Sequence, residues 1–246
     1  MTNPPPADTI DELPAFDLRL QQPRLGYRYS LDPFLLAAFC QTTEGRVLDL
    51  GTGCGIIPLL LARRFPAISL VGVELQQEMA DLARRNVAAN GLEERLSIVR
   101  SDILDLADHF PANSFDLVVA NPPYRRAGTG RISPAAGRDL ARHESSASLA
   151  DFLAVGKRMV VPGGRLCFIY HPERLAELMS EAVRLKLAPR RLRLVHGDRQ
   201  APARMVLVEL LKGRQCALQV LAPLFVYKED GGYDGEMERI YRGDMG

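Results

Sequence analysis

The sequence predicts an α/β fold in which a mostly parallel sheet carries helices on both faces. Three observations lead there. Short apolar runs alternate with stretches of helical periodicity from Arg46 onward, a pattern that gives parallel strands and right-handed crossovers. The first run, Val47-Leu48-Asp49-Leu50, passes directly into Gly51-Thr52-Gly53-Cys54-Gly55 and then into a helical pattern. The run Phe115-Asp116-Leu117-Val118-Val119-Ala120 stops at Asn121-Pro122-Pro123-Tyr124. Both stops fall at strand carboxyl ends, where open α/β sheets keep their ligands.

Taken in order, residues up to about Phe16 are proline-rich and acidic and read as a loose arm. A flexible arm is expected over 1–25 and a single domain over 26–246. Ser30-Leu31-Asp32-Pro33 opens a helix through Gln41, with Asp32 as cap and Pro33 in the first turn. Strand 46–50, helix 56–65, strand 68–73 and helix 76–90 follow, the last stopped by Asn90-Gly91. Strand 95–100 reaches Asp102, and strand 115–120 comes next. The polar segment 125–146 has scattered glycines and little periodicity, so it reads as a mobile loop. Helix 148–160 ends at Pro162-Gly163-Gly164, and strand 165–170 and helix 172–187 come after it. Strands 191–196 and 204–211, with a short return near 223–227, complete the chain. That closing pair has no helix between its members, so it should be antiparallel.

Composition narrows the class. The 246 residues are 47% hydrophobic and 25% charged, as in one ordinary globular domain. Cys40, Cys54, Cys167 and Cys216 form no C-x-x-C pair and read as reduced thiols of a cytoplasmic protein. His109, His143, His171 and His196 are dispersed, which argues against a metal site. No apolar stretch reaches membrane-spanning length, and the first residues lack a signal peptide's character. The net charge of +1 does not advertise nucleic acid. Its distribution is more suggestive: Arg125, Arg126, Arg131, Arg138 and Arg142 crowd the segment after Tyr124, and the stretch from Arg184 to Arg204 is locally basic.

Two turns carry chemistry. A strand, a glycine turn and a helix start gather backbone N–H groups and the positive helix end around a ligand. The spacing G-x-G-x-G is neither the dinucleotide fingerprint nor a phosphate loop. Glu74 ends the next strand, roughly 20 residues past the glycines, where a carboxylate suits ribose hydroxyls; a solvated helix-capping acid is the plainer reading. At the second turn, Asn121 supplies a side-chain carbonyl and neither proline has a backbone N–H. Asn121 and Pro122 each precede a proline and are held extended. A stiff cluster of acceptors beside the flat ring of Tyr124 suits a planar group bearing an NH2, such as a nucleobase or a carboxamide.

In this order and separation, Asp-Leu-Gly-Thr-Gly-Cys-Gly, the acidic strand end and Asn-Pro-Pro-Tyr resemble class I S-adenosylmethionine-dependent methyltransferases acting on an amino nitrogen. Gly26 to Ala37, Arg142-His143-Glu144-Ser145-Ser146 and Ala203 to Glu209 are similar to bacterial tRNA adenine-N6 methyltransferases that modify a valine tRNA beside its anticodon. The resemblance implies a Rossmann-like, seven-stranded mixed sheet with one antiparallel strand, and S-adenosyl-L-methionine as cofactor. It implies Gly51, Gly53 and Gly55 at the methionine end, Asp49 near the ammonium, Glu74 on the ribose and Asp102 on the adenine. Asp102 could equally cap the turn that follows it, and Asp32 could serve either the cofactor's amino-acid end or its own helix. Asn121 and the Pro122 carbonyl are the expected acceptors for the reacting amine, with Tyr124 stacked on the base. Arg125, Arg126, Arg131 and Arg142 are expected to meet tRNA phosphates, with no membrane or metal involved. Rival readings are a protein glutamine-N5 methyltransferase of the release-factor type, a ribosomal RNA guanine-N2 methyltransferase, and a cofactor-binding partner subunit without activity.

Overall fold

A computed structural model of the protein describes residues 9–23, 29–42, 44–123 and 147–245. A hairpin of β1 (Thr9–Leu13) and β2 (Leu18–Gln22) comes first, followed by α1 (Asp32–Phe39). Next are β3 (Gly45–Leu50), α2 (Ile56–Arg64), β4 (Ile68–Glu74), α3 (Gln77–Ala89), β5 (Leu96–Arg100) and β6 (Phe115–Ala120). The second half holds α4 (Leu149–Met159), β7 (Val160–Tyr170), α5 (Leu175–Arg184), β8 (Leu187–His196) and β9 (Ala203–Lys212). Two short strands, β10 (Gln219–Val220) and β11 (Leu224–Phe225), and α6 (Gly235–Tyr241) close the chain.

The main sheet runs β10-β8-β9-β7-β6-β3-β4-β5, with β11 also on β8. Only β9 is antiparallel to its neighbours, β7 and β8. These are the seven expected strands, with β10 and β11 lengthening one edge. Alternation along each strand sorts the core into two layers. Val47, Leu117, Val119, Ile169 and Leu207 meet α1, α2 and α6, whereas Leu48, Leu50, Val118, Phe168 and Val208 meet α4 and α5.

Several expectations need correction. Residues 9–22, read as part of a loose arm, form the hairpin instead. Leu18, Leu20 and Gln22 alternate inward and bury apolar surface that a polar arm would leave in water. Asp32 is not the cap of α1: Leu31 holds that position without a side-chain bond, and Asp32 lies in the first turn, where its charge suits the helix dipole. α1 stops at Phe39, two residues early. Pro162-Gly163-Gly164 does not precede β7 but lies inside it, where the register against β6 shifts between the pairs Phe115–Val160 and Leu117–Arg165, the mark of a bulge. The helix expected over 172–187 begins as a 3-10 turn at Pro172–Arg174 and ends at Arg184.

The hairpin is docked by two asparagines. Asn86 in the last turn of α3 and Asn90, the residue that caps its end, face the outer edge of β2. The Asn86 side chain accepts from Gln21 N at 2.7 Å and donates to Gln21 O at 3.0 Å. Asn90 repeats the pattern on Arg19, at 2.9 and 2.7 Å. Each amide does what a neighbouring strand's backbone would do.

A second buried polar cluster ties β8 and β9 to the end of α1. Glu209 is fully buried and accepts from Arg190 Nη1 and Arg191 Nη2, both at 2.6 Å. Arg191 also donates to Phe39 O at 2.9 Å and lies 4.5 Å over the Phe39 ring. Burial pushes the Glu209 carboxyl up, but the bonds from Arg191 and Arg190 outweigh it and hold the group below the usual range.

Candidate active site

Strand order builds the site. β6, β3, β4 and β5 are consecutive and parallel, so their carboxyl ends present Asn121, Gly51, Glu74 and Asp102 in a row. Three strand spacings cover roughly 14 Å. Leu50 pairs with Ala120, which brings the glycine turn and the Asn-Pro-Pro turn side by side. The carboxyl end of α1 is held by Arg64 at the end of α2, which donates to Ala38 O and Cys40 O at 3.0 and 2.8 Å, so the first turn of α1, with Asp32, points back toward the start of α2 and its glycine turn.

The glycine turn is held from β4. Gly51 N and Thr52 N both donate to Val73 O at 2.9 Å, and Gly53 N donates to Glu74 Oε2 at 2.8 Å. Gly51, Gly53 and Gly55 have φ of 74°, 59° and 86°. A Cβ at any of them would meet nothing nearer than 3.4 Å. Conformation rather than crowding therefore requires glycine here. α2 starts at the end of this turn without a side-chain cap, and its positive end faces the turn.

Glu74 is shared. Its second oxygen accepts from Gln76 N at 2.9 Å; burial raises its carboxyl, and these backbone N–H groups work against the rise. Asp102 caps the 3-10 turn Ile103–Asp108 by accepting from Leu104 N at 3.0 Å. Cys54 is a buried thiol pushed up to about 12 by its burial, too high for a reactive thiolate. Asn121 is half-buried, Pro122 buried and Pro123 exposed. Tyr124, Arg125, Arg126, Arg131, Arg142 and the rest of the expected loop 125–146 lie outside the described residues.

Asp49 is the group that asks for a ligand. It is 1% exposed, and neither carboxylate oxygen has a hydrogen-bond partner among the described residues. The Thr52 hydroxyl beside it is likewise unpartnered. Burial pushes the Asp49 carboxyl up to about 7; Thr52, near but outside hydrogen-bonding geometry, opposes this, and the Glu74 charge adds to it. An unpaired buried carboxylate is costly, and a cationic ligand group removes that cost. Two contributors escaped the sequence reading, Thr52 and Gly72. Gly72 pairs with Asp49 across the strands, and a Cβ there would sit 2.9 Å from both Thr52 Oγ1 and Ile98 Cδ1. A glycine inside a strand was the available signal.

A depression of about 900 Å³ lined by Arg64, Asp116, Pro162 and Arg214 lies at the opposite, amino edge of the sheet and takes no part in this arrangement. No His/Cys/Asp/Glu cluster able to hold a metal occurs among the described residues, and no described helix is long and apolar enough to cross a membrane.

Residues 32–184 match the family model of the methyltransferase small domain. The chain belongs to that family. The tRNA1(Val) (adenine(37)-N6)-methyltransferase of Porphyromonas gingivalis strain W83 is 34% identical over 180 residues, 70% of each chain. The enzyme of the same description from Pasteurella multocida is 30% identical over 214 residues, 85% of this chain and 86% of its own. Among solved structures, the predicted O-methyltransferase Atu636 from Agrobacterium tumefaciens superposes with a TM-score of 0.71 at 23% identity, covering 87% of this chain and 96% of that one; at that identity the likeness concerns the fold. This methyltransferase is a class I enzyme dependent on S-adenosylmethionine. The residues at the β3 end fit that cofactor: an orphaned carboxylate for a cation, a left-handed glycine turn at the positive end of α2, and Glu74 one strand further along.

Proposed function

We propose that this methyltransferase acts on the N6 amino group of an adenine in the anticodon loop of a valine tRNA, in the cytoplasm. The observation that carries the reading is the pairing of Leu50 with Ala120, which sets Asn121 and Pro122 beside the cofactor turn. The P. gingivalis and P. multocida relatives supply the substrate class.

S-adenosylmethionine, when bound, offers an electrophilic sulfonium methyl. Everything else is the work of this chain. Asp49 holds the ammonium, Gly51, Gly53 and Gly55 admit the methionine end, Glu74 takes the ribose hydroxyls, and Asp102 keeps one carboxylate oxygen for the adenine amino group. Asp32 borders the amino-acid end from the first turn of α1. An aromatic amine is a weak nucleophile because its lone pair is delocalised. The Asn121 side-chain oxygen and the Pro122 carbonyl accept its two hydrogens and favour a pyramidal nitrogen whose lone pair points at the cofactor. Such a step rests on placement and electrostatic complementarity, and the cationic product loses its proton without a dedicated base. Tyr124 stacks on the base, a contact worth roughly 1–3 kcal/mol, and Arg125, Arg126, Arg131 and Arg142 meet the phosphates. A flipped base is cheapest to obtain from a single-stranded loop.

The deciding experiment is transfer of tritiated methyl to purified valine tRNA, to total tRNA and to a protein fraction, followed by nucleoside analysis. N6-methyladenosine in valine tRNA is the expected product. Label in protein glutamine, or in ribosomal RNA as N2-methylguanosine, would replace the reading with one of its rivals.

Asp49 adds a pH dependence. In the cofactor-free protein its carboxyl stands near 7, against an ordinary 3.8. The folded state thus retains this proton where the unfolded chain has lost it, and the group's contribution to stability declines as pH rises through that window. Binding an ammonium requires the ionised form, so cofactor uptake expels the proton. Affinity should rise up to about tenfold per pH unit between pH 5.5 and 7. Calorimetry in buffers of different ionisation enthalpy should show proton release near pH 6 that vanishes in Asp49→Asn. An affinity flat across that interval would remove Asp49 from the ammonium.

A further inference from the structure

Asn86 does more than dock the hairpin. Its Nδ2 also donates to Cys54 O at 2.9 Å, the carbonyl between the two left-handed glycines Gly53 and Gly55. The side chain is fully buried, so this bond is not shared with water. Neighbours on the same face of α3 support the turn: Met79 Cε and Ala83 Cβ lie 3.9 and 3.4 Å from where a Cβ on Gly53 and Gly55 would sit. The hairpin in turn leads toward the cofactor edge. Gln22 is 1% exposed, accepts from Tyr29 N at 3.1 Å and donates to Asp11. Tyr29, whose hydroxyl donates to Asp11 at 3.4 Å, stands three residues before Asp32.

We propose that Asn86 is a positioning residue for cofactor binding: by gripping Cys54 O and the Gln21 backbone with one amide, it locks the glycine turn against the amino-terminal hairpin in the shape that receives the methionine end. The inference rests on the cofactor reading above, not on the identity of the methyl acceptor. Three otherwise independent segments meet at this one amide. Without it, the Cys54 carbonyl is buried and unpaired, and a turn of three left-handed glycines has many conformations to lose on binding. Asn90 supplies an internal comparison, because it grips the hairpin equally but does not donate to the glycine turn.

The test is calorimetric titration of S-adenosylhomocysteine into the wild type, Asn86→Ala, Asn86→Asp and Asn90→Ala, well below each melting temperature. Amide exchange of the cofactor-free turn serves as a second readout. Asn86→Asp keeps the acceptor for Gln21 N and loses both donor bonds. Expected are dissociation constants about tenfold weaker for both Asn86 variants, faster exchange at residues 51–55, and turnover at saturating cofactor within about twofold of wild type. Asn90→Ala should lower the melting temperature and leave cofactor affinity unchanged. Equal weakening by Asn90→Ala, or unchanged affinity in Asn86→Ala, would overturn the proposal. A wild type that binds no S-adenosylhomocysteine would instead sink the cofactor reading itself.

Discussion

Replacing Asn121 by alanine should lower methyl transfer at least about 100-fold while leaving affinity for S-adenosylmethionine within about twofold. Removing one preorganised hydrogen-bonding group from a transition state costs about 10²–10³ in rate where it has been measured, and 100-fold corresponds to about 2.7 kcal/mol. The split between rate and affinity follows from position. Asn121 follows β6, whereas Asp49 lies in β3, the glycines follow β3 and Glu74 ends β4, so truncating its amide leaves the cofactor contacts in place. The backbone should be indifferent as well, because Pro122 and Pro123 keep the turn extended whatever side chain precedes them. Single-turnover methyl transfer with saturating cofactor gives the rate and calorimetry gives the affinity. A variant retaining more than about a tenth of the wild-type rate would show that the acceptor at this position is not the one that matters.

The second large effect concerns stability. Glu209→Gln should destabilise the protein by about 3–5 kcal/mol, the usual cost of removing one partner from a buried ion pair. Arg191 is 8% exposed and its Nε is without a partner among the described residues, so the lost carboxylate leaves a buried charge with little compensation. Arg190 fares better because its side chain is 40% exposed and water can take over. The Phe39 carbonyl and ring alone do not hold a guanidinium. Acid should reproduce part of the effect: Glu209 stands below its ordinary range, so the stability it confers is present at neutral pH and is lost as pH falls through its folded value. Urea denaturation of wild type and variant at pH 7 and pH 4 measures both. A difference under about 1 kcal/mol at pH 7 would mean that the interior around Arg191 admits water.

The sheet was readable because its strands are apolar on both faces and its turns carry unmistakable residues. Gly51-Thr52-Gly53-Cys54-Gly55 and Asn121-Pro122-Pro123 declare their own backbone, and β9 declares its direction through the missing helix before it. The hairpin was not readable. Leu18-Arg19-Leu20 is too short a pattern to stand out after Pro4-Pro5-Pro6 and four acids, and its docking partners, Asn86 and Asn90, lie some 65 and 71 residues away. Pro162-Gly163-Gly164 misled for a local reason: turn-forming residues inside a bulge look the same in sequence as those between elements. The orphaned state of Asp49 was equally hidden, since its position could be placed from the motif, but its isolation depends on Gly72 and Thr52 closing around it.

An unpaired strand edge is a template on which a second molecule can add its own strand, and chains that misassemble often do so there. β2 ought to be such a hazard, because a two-stranded ribbon standing apart from the main sheet has two open sides. Asn86 and Asn90 occupy the outward N–H and C=O groups of Gln21 and Arg19, and β1 closes the ribbon's other side with Asp11 and Glu12 in its short run. With these four groups taken, an added strand would find no outward backbone partner at Gln21 or Arg19.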